Sequence, residues 1–200
     1  FIEGNNPLVW NVDSQSLSTS PKTQVKNYDI LIVFGGIGYA TPEYMEKSIP
    51  NSIKENYLIF YYPYTEKVDG KFLDFIEKLK ESDLKPRSIS FAGFSAGGKN
   101  VMKAMEIFEY RNIHNIPIIK YILIDPSVDK SIYKTLNYSQ AVMAYGSNGM
   151  LNLYANEYYN LESIINEQDG VIDRQSLSHN DFIPYIFQNY IEWQEKLKYY

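Results

Sequence analysis

A chain of 200 residues with 44% hydrophobic and 22% charged side chains is within the range of one globular domain. It can bury roughly 70% of its unfolded surface, and such a composition excludes a disordered polypeptide. A net charge of −5 without a basic block excludes an electrostatic nucleic-acid footprint, and no apolar run reaches the ~18 residues of a membrane span. The lack of cysteine removes disulfides, thiolate metal sites and a cysteine nucleophile, and leaves the compartment open.

Residues 1–27 are polar and rich in Asn, Ser and Thr, with one apolar patch at Leu8-Val9-Trp10. They read as an irregular lead-in with room for an edge strand. The chain opens on Phe1 rather than Met, which suggests a processed or excised piece of a longer protein and a soluble domain of unknown location. Tyr28 to Phe34 is apolar throughout but for Asp29 and ends in Gly35-Gly36-Ile37-Gly38, the pattern of a buried strand entering a glycine loop. Tyr57 to Tyr62 is a second strand, stopped by Pro63. Over residues 66–82, Val68, Phe72, Phe75, Ile76 and Leu79 follow helical spacing.

Ile89, Phe91 and Ala92 then lead into Gly93-Phe94-Ser95-Ala96-Gly97-Gly98, and a helical pattern follows at once through Val101, Met102, Met105 and Phe108. A serine on a strand-to-helix turn, with glycine two residues to either side, is the G-x-S-x-G nucleophile elbow. Such a turn strains the serine backbone, and a side chain at either glycine would strike the neighbouring strand or helix. The same string also fits a phosphate loop, G-x-x-x-x-G-K-[ST], through Gly93, Gly98 and Lys99. Asn100 stands where that loop needs a hydroxyl for Mg²⁺, which counts against it.

Ile118 to Ile124 is another buried strand, closed by Asp125-Pro126. Gln140 to Tyr145 is the next, ending in Gly146-Ser147-Asn148-Gly149. Residues 153–166 read as a helix, 170–177 as a last strand and 181–198 as a final helix. This alternation predicts an α/β domain with a mostly parallel sheet and helices on both faces. Ligands of such sheets gather at the carboxyl ends of the strands, where the glycine loop, Ser95, Asp125 and His179 all fall.

With these features the chain resembles the α/β-hydrolase family over roughly residues 28–198. The elbow Gly-Phe-Ser-Ala-Gly makes Ser95 the nucleophile. His179, in Leu177-Ser178-His179-Asn180 between the last strand and helix, occupies the loop where the family places its catalytic base. The other histidine, His114, reads as a solvated surface residue. Phe34-Gly35-Gly36-Ile37-Gly38 resembles the oxyanion loop of family lipases and esterases, with Phe34 in place of the usual histidine. Ala96 and Gly36 are then the two N–H donors. A dinucleotide G-x-G-x-x-G fails on the same loop because Thr41 replaces the third glycine.

The acid departs from the pattern. The family usually supplies it after the penultimate strand, but Gly146 to Met150 holds no carboxylate. Some family lipases carry it one strand earlier, and Asp125 fits that arrangement, with Pro126 restraining it to an extended backbone. Glu157, Asp169 and Asp173 are the alternatives, and an Asx turn is the plain structural role for Asp125.

The implied activity is a serine hydrolase cleaving carboxylic esters or thioesters without metal or organic cofactor, on residues 28–200. A nucleotide-binding loop or a non-catalytic scaffold are the rival readings. About fifteen residues separate Asp125 from the next strand, too few for a cap domain. The expected site is therefore open and lidless, suited to an acyl group carried on a larger molecule.

Overall fold

The computed structural model describes residues 2–3, 8–11, 16–19, 29–38, 40–54, 57–81, 86–111 and 119–189, so His114 lies outside the described residues. The lead-in, expected to be irregular, contains three short strands: β1 (Ile2–Glu3), β2 (Leu8–Asn11) and β3 (Ser16–Thr19). β2 and β3 form an antiparallel hairpin with Leu8 opposite Thr19. The apolar runs give β4 (Asp29–Phe34), β5 (Tyr57–Tyr62), β6 (Ser88–Phe94), β7 (Ile119–Ile124), β8 (Ala141–Tyr145) and β9 (Val171–Arg174).

The sheet order is β1-β5-β4-β6-β7-β8-β9. The six strands from β5 to β9 run parallel, and β1 adds an antiparallel edge against β5. Register aligns Phe34 with Gly93, Phe94 with Ile124, and Ile124 with Ala144. The carboxyl ends of β4, β6, β7 and β8 therefore finish side by side, and that shared edge builds the site.

Alternate side chains enter two cores. Ile30, Ile32, Phe34, Phe91, Leu123 and Met143 point to one face. There they meet α3 (Gly70–Glu81), α4 (Gly97–Arg111) and α5 (Ala155–Glu167) through residues such as Phe75, Met102 and Leu161. Leu31, Val33, Ala92, Phe94, Ile122 and Ala144 point to the other face. That face is covered by α1 (Pro42–Ser48), α2 (Asn51–Lys54) and α6 (Phe182–Gln188) through Met45, Ile53, Phe182 and Ile186. Burial on both faces is why these strands read as largely apolar runs. The result is an α/β domain with helices on both faces of a parallel sheet.

Thr41, seen in the sequence only as a missing glycine, is the N-cap of α1. Its side chain accepts the Tyr44 N–H at 3.3 Å, and Pro42 follows in the first turn.

Candidate active site

Two residues, Ser95 and Ala96, connect β6 to α4. So short a turn forces Ser95 into the left-handed region, at φ 52°, a conformation costing about 1–2 kcal/mol in a residue with a side chain. The flanking glycines are required sterically. A Cβ on Gly93 would meet Val101 at 2.6 Å on the helix side, and one on Gly97 would meet the Phe34 and Gly35 carbonyls at 2.5 Å on the strand side. Gly98 is equally crowded, with its would-be Cβ 3.0 Å from the Pro126 Cα. Its N–H donates to the Ser95 carbonyl at 2.9 Å, and the Lys99 N–H donates to the Ala96 carbonyl at 3.3 Å. A phosphate loop needs those N–H groups free and a longer span to wrap an anion, so the elbow geometry disfavours the nucleotide reading.

Asp125 closes β7 and is fully buried. Its expected extended backbone is corrected: φ is 39°, left-handed. The chain must turn sharply at the strand end, and several bonds hold the turn. The Asp125 N–H donates to the Ala144 carbonyl at 2.7 Å, and the Ser127 N–H donates to the Ser95 carbonyl at 2.8 Å. The Ser95 N–H in turn donates to the Ile124 carbonyl at 3.1 Å, so the Ser95 turn and the Asp125 turn are laced together.

The carboxylate makes no Asx turn. Oδ2 accepts the Met150 N–H at 3.1 Å and pairs with Nδ1 of His179, and the Tyr158 hydroxyl lies 3.4 Å from Oδ1. The loop after β8, which holds no carboxylate of its own, thus supplies a donor to the one at the end of the neighbouring strand. Gly149 is part of the same cradle, because any Cβ there would collide with Asp125 Oδ2 and lie 2.8 Å from its Cγ. A carboxylate-free loop with a glycine next to Met150 is the trace this arrangement leaves in sequence.

His179 begins a short 3₁₀ turn before α6. Its ring lies 4.5 Å from that of Phe94, the residue preceding Ser95, tilted by 30°. The imidazole is thus fixed through Nδ1 to the acid and by its face to the elbow strand, and such a bond leaves Nε2 as the outward nitrogen. Among the described residues neither Nε2 nor the Ser95 hydroxyl has a hydrogen-bond partner. The two buried serines of β6, Ser88 and Ser90, lie further back along the strand, and Ser88 donates to Asp29 at 2.7 Å.

Of the two expected oxyanion donors, Ala96 follows Ser95 at the start of the helix. Gly36 is also close, with its would-be Cβ 3.1 Å from the Ser95 Cβ. Its N–H, however, donates to the Ala40 carbonyl at 3.0 Å, so it is engaged within its own loop. The other carboxylates have different partners. Glu157 pairs with Lys130 at 2.9 Å, Asp173 accepts from Gln175 and Tyr185, and Asp169 lies in the left-handed turn after α5 with φ 61°. Burial and the nearby Asp125 charge push the Tyr158 phenol well above its ordinary value, so it stays a donor.

Residues 127–139 hold a single 3₁₀ turn, Tyr133–Thr135, and bury Val128, Tyr133, Leu136 and Tyr138 in the core shared with α5. Ser95 remains partly exposed. Among the described residues no helix is long and apolar enough to cross a membrane, and no three His, Asp or Glu side chains gather as a metal site.

No family model matches the sequence, and no curated protein matches it. Solved structures match it in fold. Est1E from Butyrivibrio proteoclasticus is 11% identical with a TM-score of 0.53, over 88% of this chain and 91% of that one. A thermostable esterase is 16% identical with a TM-score of 0.54, over 88% of this chain and 56% of that one. The capsule O-acetyltransferase of Neisseria meningitidis serogroup A is 18% identical with a TM-score of 0.44, over 84% and 87%. Identities this low speak to fold alone, and the first two identify it as α/β-hydrolase-like.

Proposed function

We propose that this chain is a serine hydrolase that cleaves carboxylic esters, with thioesters next, through an acyl-enzyme on Ser95. The observation that carries the reading is the His179–Asp125 pair held beside a left-handed serine elbow. His179 Nε2 takes the Ser95 proton as Oγ attacks the acyl carbon, then passes it to the departing alkoxide or thiolate. Water, deprotonated by the same nitrogen, attacks the acyl-enzyme, and the proton returns to Ser95 as the acid leaves. Asp125 fixes the imidazole tautomer and supports its positive charge in each step. The tetrahedral oxyanion falls to the Ala96 N–H, and to that of Gly36 once it turns from Ala40, each donor worth roughly 3–4 kcal/mol. These steps call on no metal or organic cofactor.

The partly exposed elbow supports an open site for an acyl group presented on a larger molecule. The expected test is labelling of Ser95 by a fluorophosphonate probe and cleavage of short nitrophenyl esters, both lost in Ser95→Ala. Full activity in Ser95→Ala overturns the assignment. The missing bond between Ser95 and His179 favours one other reading, a non-catalytic binding domain on a hydrolase scaffold. Catalytic bonds often tighten only with substrate, and the hydrolase reading expects this one to do so. Folded protein that neither reacts with the probe nor turns over esters selects the scaffold.

A further inference from the structure

Tyr158, on α5, is one of nineteen tyrosines, and no motif singles it out. Its side chain is fully buried, so its hydroxyl must find a partner inside the protein. Both partners belong to one turn. The hydroxyl donates to the Pro126 carbonyl at 2.6 Å and lies 3.4 Å from Asp125 Oδ1. The hydroxyl has one proton, and the shorter contact to the Pro126 carbonyl claims it. That turn carries the left-handed Asp125, whose strained backbone persists only if its surroundings over-determine it. Tyr158 does so from a helix on the far side of the acid from His179.

We propose that Tyr158 is a positioning residue, whose buried hydroxyl clamps the Asp125–Pro126 turn and so holds the carboxylate in line with His179. This rests on the serine-hydrolase reading. The backbone bond to the carboxylate itself, from the Met150 N–H, fixes Oδ2 only. Tyr158 holds the backbone that carries the carboxyl, so the two together keep it in line with the imidazole. The titratable groups facing the pair are His179 across the site and, around the phenol, Tyr145 and Tyr154. An ordinary core tyrosine would need one acceptor anywhere, and its loss would lower stability without touching the chemistry.

The test is a double-mutant cycle between Tyr158→Phe and Asp125→Asn, read as kcat and KM on a nitrophenyl ester with melting temperatures alongside. Phe fills the same volume, so the fold is retained. In the native background Tyr158→Phe should lower kcat roughly tenfold with KM little changed, the order at which members of one network couple. In the Asp125→Asn background the same change should cost less than about twofold, because the carboxylate it orients is gone. Tyr145→Phe, in the same aromatic cluster but bonded to Glu162, should leave kcat unchanged. Equal losses in both backgrounds, or an unchanged kcat in Tyr158→Phe, overturn the inference. If Ser95→Ala also keeps its activity, the hydrolase reading falls; if Ser95→Ala is inactive, only the role of Tyr158 does.

Discussion

Gly149→Ala places a methyl group where the acid already lies. The new Cβ would sit 2.8 Å from the Asp125 Cγ and 3.1 Å from Oδ1, with Oδ2 nearer still, against an ordinary contact of 3.4 Å or more. The carboxyl carbon has to retreat by about 0.6 Å and Oδ2 by more, or the loop has to lift. Either movement breaks the 3.1 Å bond from Met150 and the pairing with His179. Retreat is blocked behind, since the Asp125 backbone is tied to Ala144 and its turn to Ser95 and Tyr158. Misplacing a reacting constellation by about 1 Å costs on the order of 10²-fold. Gly149→Ala should therefore lose about two orders of magnitude in kcat on a nitrophenyl ester. The overpacking should lower stability by about 1–3 kcal/mol, visible in thermal melts. Gly70→Ala is the control: nothing lies within 4 Å of its would-be Cβ, so activity should be untouched. A Gly149→Ala protein with near-native kcat would refute both the cradle and the part given to Asp125.

Three further outcomes follow from the same geometry. Gly97→Ala drives a methyl group into the Phe34 and Gly35 carbonyls, so probe labelling of Ser95 should fail and the melting temperature should drop. Asp125→Asn should lower kcat by about 10⁴ on the precedent of serine-protease triads, whereas Glu157→Gln, which only unpairs Lys130, should hydrolyse esters at the native rate. Burial, reinforced by its bond to Glu162, pushes the Tyr145 phenol up to about 12, and burial also raises Tyr61, Tyr62, Tyr121 and Tyr138. An unfolded tyrosine loses its proton near pH 10, while the folded one keeps it. Stability should thus be full below pH 10 and fall as pH rises towards 12, by up to about 1.4 kcal/mol per pH unit per phenol, as melts across that range will show.

The strands were legible in sequence for a physical reason. A parallel strand covered on both faces is apolar along most of its length, as the fully buried run from Ile30 to Phe34 is. The elbow was legible because only glycine fits at 93 and 97. α1 and α2 escaped notice because Met45 and Ile53 are their sole buried residues, too few to set a period; the Thr41-Pro42 cap was the available signal. The partner of His179 lay beyond spacing arguments, since 54 residues separate it from Asp125. Tyr158 left no trace, because a tyrosine that clamps a turn and one that fills a core look alike in a chain so rich in them. The left-handed Asp125 opposed a local preference that tertiary bonds overrode.

Because Ser95 and Asp125 sit at neighbouring strand ends, and the Ser95 backbone bonds to Ile124 and Ser127 on either side of Asp125, those two corners behave as a single rigid body. The imidazole alone arrives from a separate piece of chain. On the proposed function, adjustment to a bulky ester is concentrated in the segment that carries His179, and exchanging its other residues, such as Ser178, should retune reactivity while leaving the anvil beneath it intact.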